Sequence, residues 1–311
     1  MRAPLARVLS AALLGALLLP RPAVAAPCAD LAPQLRDLLQ AMSRSAAGAD
    51  FSGVLTLQRG GDMQIVEVSH SVRDGRENAV LARLTGQDAR VHRRGHPVDC
   101  VHPGHRLRLG GAAAAGVCGL AEHYRLSVAS GERIAGRATL RLRAEARDVY
   151  RYSQVFDVDR ESALILRART LAADQRVLEQ YQYASLQLHA GAPPPAALEH
   201  LAAHPHPDEP VSGPAVLPWR IDWLPAGFAA TDAVPPRSPR KSYTDGLASF
   251  SVFLELPPRE LPAGEGVERL GSTVAYTRGT RLQERPVLIT VLGEVPVNTA
   301  RMVADAVRLQ P

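Results

Sequence analysis

Apolar residues at Leu31, Leu35, Leu38, Leu39 and Met42 recur every three or four positions, and this spacing predicts an amphipathic helix from Leu31 to Ser45. From Phe51 the period shortens. FSGVLTLQ, the turn RGGD and MQIVEVSHS are followed by AVLARLT, ARVHRR and HPVDCVH, and then by YRLSVAS, ATLRLRAEA, VYRYSQVFDVD, ALILRARTLAAD and VLEQYQYASLQL. Turn signals at Gly60-Gly61, Arg73-Asp74-Gly75, Gly131 and Asp159 to Ser162 separate most of these runs. Many short strands without helical patterns between them predict a large antiparallel sheet or open barrel, not parallel βαβ units. Tyr150, Tyr152, Gln154, Phe156 and Val158 share one side of their strand, and Tyr181 and Tyr183 share one side of theirs. A curved sheet with an apolar concave face needs a cover. The N-terminal helix is one, and a bound apolar ligand is another.

A proline-rich stretch from Ala190 to Pro218 interrupts the strands and reads as an extended, semi-rigid linker. Beyond it, strands are predicted near Phe228–Val234, Ala248–Leu256, Thr273–Arg278 and Pro286–Glu294. A terminal helix is predicted from Asn298 to Leu309, with Asn298 or Thr299 as its cap. The chain has two tryptophans, seven tyrosines and five phenylalanines, and Trp219, Trp223, Phe228, Tyr243, Phe250 and Phe253 all fall in this last region. A domain this small has a limited core, so large aromatics are expected to fill it. Trp223, Leu224 and Phe228 are assigned to that core. Trp219, beside the linker, is expected at a domain interface or a partner contact.

The first 25 residues change the picture of charge and location. MRAPLAR, an apolar run from Val8 to Leu19 and the small-residue exit Ala23-Val24-Ala25 form a signal peptide pattern. Cleavage there directs the chain to the periplasm and removes three arginines, which takes the formal net charge from +5 to about +2. No nucleic-acid footprint remains at that balance. The expected organisation is a signal peptide at 1–25, a large domain at 26–190, a linker at 191–218 and a small domain at 219–311. Together the segments predict an α+β fold, mainly antiparallel β.

Chemistry is scarce. There is no G-x-S-x-G, H-E-x-x-H or G-x-G-x-x-G, and Lys241 is the only lysine. No cofactor and no enzymatic activity are expected. His200, His204, His206 and Asp208 have a spacing that zinc accepts but sit in the proline-rich linker, where solvated side chains are the plainer reading. His92, His96, His102 and His105 lie among arginines. That stretch is either a polar sheet edge or a cationic site for phosphorylated headgroups built from Arg93, Arg94, Arg106 and Arg108. In an oxidising compartment Cys100 and Cys118 would close a modest loop, leaving Cys28; other pairings remain open.

Several runs resemble one family. DWLPAGF (222–228), YTDGLASFSVFLE (243–255) and GEVPVNTARMVADAV (293–307) resemble segments of the small domain of the RseB/MucB family. FSGVLTLQR (51–59), RIAGR (133–137) and YRYSQVFDVDRESALILR (150–167) resemble runs of its large domain. The resemblance implies a periplasmic regulator of the sigma-E (AlgU-type) envelope-stress response. Its large domain would be an unclosed barrel similar to the lipoprotein carriers LolA and LolB. Its small domain would hold the periplasmic segment of an RseA- or MucA-type anti-sigma factor and shield it from site-1 proteolysis. Lipopolysaccharide or lipoprotein acyl chains would enter the large domain and release the partner. A periplasmic carrier of lipid or lipoprotein is the alternative, and a homodimer is a further assembly that fits. Expected cavity residues are Val54, Leu55, Leu57, Ile65, Val66, Tyr150, Tyr152 and Phe156. Expected partner contacts are Trp219, Tyr243, Phe250 and Phe253.

Overall fold

The computed structural model describes residues 31–74, 76–86, 89–97, 116–189, 217–231, 237–257 and 263–310. Its first element is the expected helix, α1 (Pro33–Gly48), in which Pro33 lies in the first turn, where its missing N–H leaves no bond unmade. Leu31, Leu35, Leu38, Leu39 and Met42 are all buried on one side. Nine antiparallel strands follow: β1 (Phe51–Arg59), β2 (Asp62–Arg73), β3 (Arg76–Arg83), β4 (Arg90–Pro97), β5 (Tyr124–Ser130), β6 (Thr139–Ala146), β7 (Ser153–Asp159), β8 (Ile165–Leu171) and β9 (Val177–Leu188). They form one sheet in the order β4-β3-β2-β1-β9-β8-β7-β6-β5. A short helix, α2 (Gly116–His123), precedes β5.

The sheet is unclosed, since β4 and β5 are its two edges, and it is strongly curled. Helix α1 touches β2, β5 and α2, although β2 and β5 lie far apart in the strand order. One helix can reach both only if the sheet bends around it. Side chains alternate between the two faces, and the inner face is apolar. Leu142, Phe156 and Ala168 stand in one register row across β6, β7 and β8. They pack with Leu35, Leu38, Leu39 and Met42 of α1 and Leu120 of α2. A neighbouring patch on β1, β2 and β9 gathers Phe51, Leu55, Val66, Val68 and Tyr183, with Tyr181 touching both groups.

β7 begins later than the alternating pattern suggests. Residues up to Tyr152 form a loop because the Asp148 carboxylate accepts from the Tyr150 N–H at 3.0 Å and from the Arg151 guanidinium, which favours a turn over a ladder.

The chain from Trp219 on builds β10 (Trp219–Ile221), β11 (Ala229–Ala230), β12 (Arg240–Thr244), β13 (Ser249–Glu255), β14 (Gly264–Leu270), β15 (Thr273–Leu282), β16 (Arg285–Gly293), α3 (Val297–Asp305) and β17 (Val307–Leu309). Six of the strands form a sheet in the order β11-β12-β13-β16-β15-β14, and β10 pairs with β17. Helix α3 buries Ala300, Val303 and Ala304 against β15 and β16. It ends at Asp305, not Leu309. Val307 and Leu309 are buried while Arg308 is exposed, a strand alternation that pairs with Trp219–Ile221 and ties the terminus to the start of the domain. The expected cap residues act elsewhere, since the residue preceding α3 is Pro296 and makes no side-chain capping bond.

Candidate functional site at the domain junction

The strand pair β12–β13 ends in a tight turn, Asp245-Gly246-Leu247-Ala248, and this tip reaches into the large domain. One Asp245 carboxylate oxygen, Oδ1, accepts from the backbone N–H groups of Leu247 at 2.9 Å and Ala248 at 2.8 Å, which shapes the turn. The other, Oδ2, accepts from the Tyr124 hydroxyl at 2.8 Å and from Arg151 Nη1 at 2.7 Å. Tyr124 opens β5 and Arg151 sits on the loop before β7, so one aspartate both folds the small domain's hairpin and holds the large domain. Both charged side chains of the pair are fully buried.

Burying two charges costs several kcal/mol per ion unless further bonds compensate. Arg151 makes them. Its Nη2 donates to the Ala226 carbonyl at 2.6 Å, its Nε faces Asp148, and its guanidinium lies 5.5 Å from the Tyr124 ring centre and 5.3 Å from that of Phe228. Burial, then the neighbouring Asp245 charge, pushes the Tyr124 hydroxyl well above its ordinary pKa, so it stays a donor. Beside this polar knot, Leu247 is buried among the α1 and α2 residues of the large domain's apolar core. A side chain of the small domain is thus a member of the large domain's interior.

Four further contacts frame the junction. Thr299 Oγ1 donates to the Tyr150 carbonyl at 2.9 Å and Asn298 Nδ2 approaches the Val149 carbonyl at 3.5 Å, so the expected caps of α3 bridge the domains instead. Trp223 meets Tyr150 edge-on at 5.3 Å. At the far end Ser272 donates to the buried Glu179 of β9 at 2.8 Å. Gly227 shows why the P-x-G turn is built as it is. Its φ of 86° suits glycine, and a Cβ there would collide with the His123 imidazole at the end of α2.

The residues expected from the sequence divide clearly. Leu55, Leu57, Val66 and Phe156 lie on or against the apolar inner face. Val54 and Ile65 point the other way, because neighbours along a strand face opposite sides; Val54 stands opposite exposed Glu67 and Ile65 opposite Thr56. Tyr150 and Tyr152 precede β7, and Tyr150 faces the small domain. Of the two tryptophans, Trp219 departs from its expected place at an interface. Trp219 is fully buried in the small-domain core, with Nε1 donating to the Ser238 carbonyl at 2.7 Å and Lys241 over its ring. Trp223 is half-buried, packed against the small-domain core as expected and also facing Tyr150 at the junction. Tyr243 and Phe250 are core residues and Phe253 is half-buried. Arg93 and Arg94 belong to β4 and their side chains lie outside the described residues, as do Arg106, Arg108, Cys28, Cys100, His200, His204, His206 and Asp208. Cys118 lies within α2.

Tyr124, Arg151, Asp245 and Leu247 were not singled out in the sequence, and of the four only Asp245 left a trace. Asp-Gly after an alternating run signals a hairpin tip.

Two domain models match this chain: the MucB/RseB N-terminal domain over residues 34–205 and the MucB/RseB C-terminal domain over residues 214–308. The sigma factor AlgU regulatory protein MucB of Pseudomonas aeruginosa is 32% identical over 291 residues, covering 88% of this chain and 90% of that protein. The sigma-E factor regulatory protein RseB of Escherichia coli K12 is 26% identical over 304 residues, covering 90% and 92%. The crystal structure of MucB in complex with MucA(peri) aligns with a TM-score of 0.70 at 29% identity, covering 89% of this chain and 99% of that one. The complex structure of Pseudomonas aeruginosa MucA/MucB aligns with a TM-score of 0.71 at 27% identity over the same shares.

Proposed function

Because this chain belongs to the MucB/RseB family, we propose that it is a sigma-factor regulatory protein that acts by binding the periplasmic segment of a MucA- or RseA-type anti-sigma factor. It works in the periplasm and not as an enzyme. Bound to its partner, it shields the segment from site-1 proteolysis. Lipopolysaccharide or lipoprotein acyl chains that enter the large domain release it. The relatives crystallised with MucA support the partner, and the export pattern of residues 1–25 supports the location.

The observation that carries the regulatory part is Leu247. A ligand that binds one conformation better than another shifts the balance by its differential affinity and by no more. An acyl chain lodging between α1 and the inner face competes for the space that Leu247 fills, so the ligand favours a chain whose hairpin tip has been withdrawn. With Leu247 move Asp245 and the contacts to Tyr124 and Arg151, and the small domain changes its setting. Partner affinity and ligand affinity are thereby linked.

Calorimetric titration of the mature chain with the periplasmic segment of its cognate anti-sigma factor tests the reading. Saturable binding with release of the segment by an acylated ligand is expected. Absence of binding to the intact chain overturns it.

A further inference from the structure

The outer face of the large sheet carries a lattice of arginines that the partner and acyl-chain readings do not use. Two register rows cross β6, β7 and β8 side by side. In the first, Arg141, Asp157 and Arg167 stand in line, and in the second Arg143, Val155 and Arg169 do. The first row is internally neutralised. Asp157 is fully buried, its Oδ1 accepts from Arg141 Nε at 2.8 Å and its Oδ2 from Arg167 Nε at 2.6 Å. Glu132 closes the same pair from the loop side, at 3.0 Å from Arg141 and 3.1 Å from Arg167.

The second row has a valine where the first has its aspartate. Arg169 is left 3.9 Å from Asp157, whose oxygens are already taken, and its buried Nε has no hydrogen-bond partner. Burial, then the like charge of Arg167, holds its guanidinium below the ordinary value, as expected of a cation short of an anion. On the other side of Val155, Arg143 makes only long bonds, from Nε to Glu145 at 3.3 Å and from Nη2 to Gln175 Oε1 at 3.4 Å. The row continues with neutral hydrogen-bonding side chains, Ser127 of β5 beyond Arg143 and Gln180 of β9 beyond Arg169. Adjacent strands lie about 4.8 Å apart, so the two arginine backbones are about 10 Å apart across the valine, a span that two guanidinium arms close over one small anion.

We propose that Arg143 and Arg169 form a binding site for a tetrahedral oxyanion, a phosphate or phosphate monoester, held over Val155 in the place that Asp157 occupies in the neighbouring row. Guanidinium forks match the oxygen spacing of phosphate and give charge-assisted bonds. The site lies on the sheet face opposite the apolar one, so its occupant is separate from any acyl chain between α1 and the inner face. It does not depend on the anti-sigma partner.

The neighbouring row supplies the test. Val155→Asp places a carboxylate between Arg143 and Arg169 as Asp157 stands between Arg141 and Arg167, and it should occupy the site from within. The intact mature chain, Val155→Asp and Arg169→Gln are titrated by calorimetry with inorganic phosphate, then by co-sedimentation with phosphatidylcholine vesicles containing phosphatidic acid. Unfolding curves are recorded alongside. The parent is expected to bind phosphate at a single site, Arg169→Gln to bind at least about tenfold more weakly, the scale of a lost charged hydrogen bond, and Val155→Asp not to bind. Vesicle binding with the same sensitivity to both variants assigns the site to a lipid headgroup; phosphate binding without it assigns a soluble phosphate. If Val155→Asp does not fold, Arg169→Gln and Arg143→Gln decide alone. Parent-like phosphate binding by the folded variants, no phosphate binding by the parent, or competition by an acidic peptide that phosphate cannot match overturns the proposal.

Discussion

Arg151 and Asp245 have no exposed side-chain surface, and each is the other's main counter-charge across the junction. A buried pair of this kind is weak evidence for net stability, but removing one member leaves an uncompensated buried charge. Arg151→Met is therefore expected to cost about 3–5 kcal/mol in chemical unfolding of the mature chain. Arg151→Met combined with Asp245→Asn should cost less than the two single changes together, and strict additivity would show that the pair is not coupled. Asp159 makes a second prediction. Burial raises its pKa, but the Arg137 guanidinium at 2.9 Å and the Ser162 hydroxyl and backbone N–H outweigh this and hold it below the ordinary value of 3.8. The unfolded chain then takes up the proton first as pH falls. The stabilisation is complete above that ordinary value and is lost as pH drops through the lower folded value. The difference in melting temperature between the parent and Asp159→Asn should shrink as pH is lowered from 6 to below about 3. A constant difference would contradict it.

At the scale of elements, the sequence pattern is most readable where burial follows a simple period. The five apolar positions of α1 and the bounds of β5 and β9 follow from spacing alone. The failures have physical causes. The start of β7 yields to the side-chain turn at Asp148, and the end of α3 yields to pairing with β10, a contact between segments far apart in the chain. β14 is exposed at every position and carries no inner-face signal to read. For the site, the alternation told which residues share a face but not which face is inside, so Val54 and Ile65 were expected beside Leu55, Val66 and Phe156 although they face the other way. It could not locate Leu247, which is buried by another domain and not by its own strand. The hairpin tip should therefore behave as a detachable element. In the Trp219→Phe background, where Trp223 is the remaining tryptophan, Leu247→Ala should shift the emission to longer wavelength as the contact with Tyr150 loosens. The small-domain core should stay folded by far-ultraviolet circular dichroism. Unchanged emission would mean that Leu247 does not hold the junction.

At the scale of the molecule, the two sheets are joined by hydrogen bonds and one shared apolar core, not by the linker alone. That arrangement allows a signal in one domain to reach the other, because the hairpin tip is a structural part of both. The measurement that bears most directly on this is the affinity of the mature chain for the periplasmic anti-sigma segment across a titration of acylated lipoprotein peptide. The account predicts that the apparent Kd rises with ligand and then levels off, and that the anti-sigma segment weakens ligand binding by the same factor. An affinity for the segment that does not change at saturating ligand would contradict it.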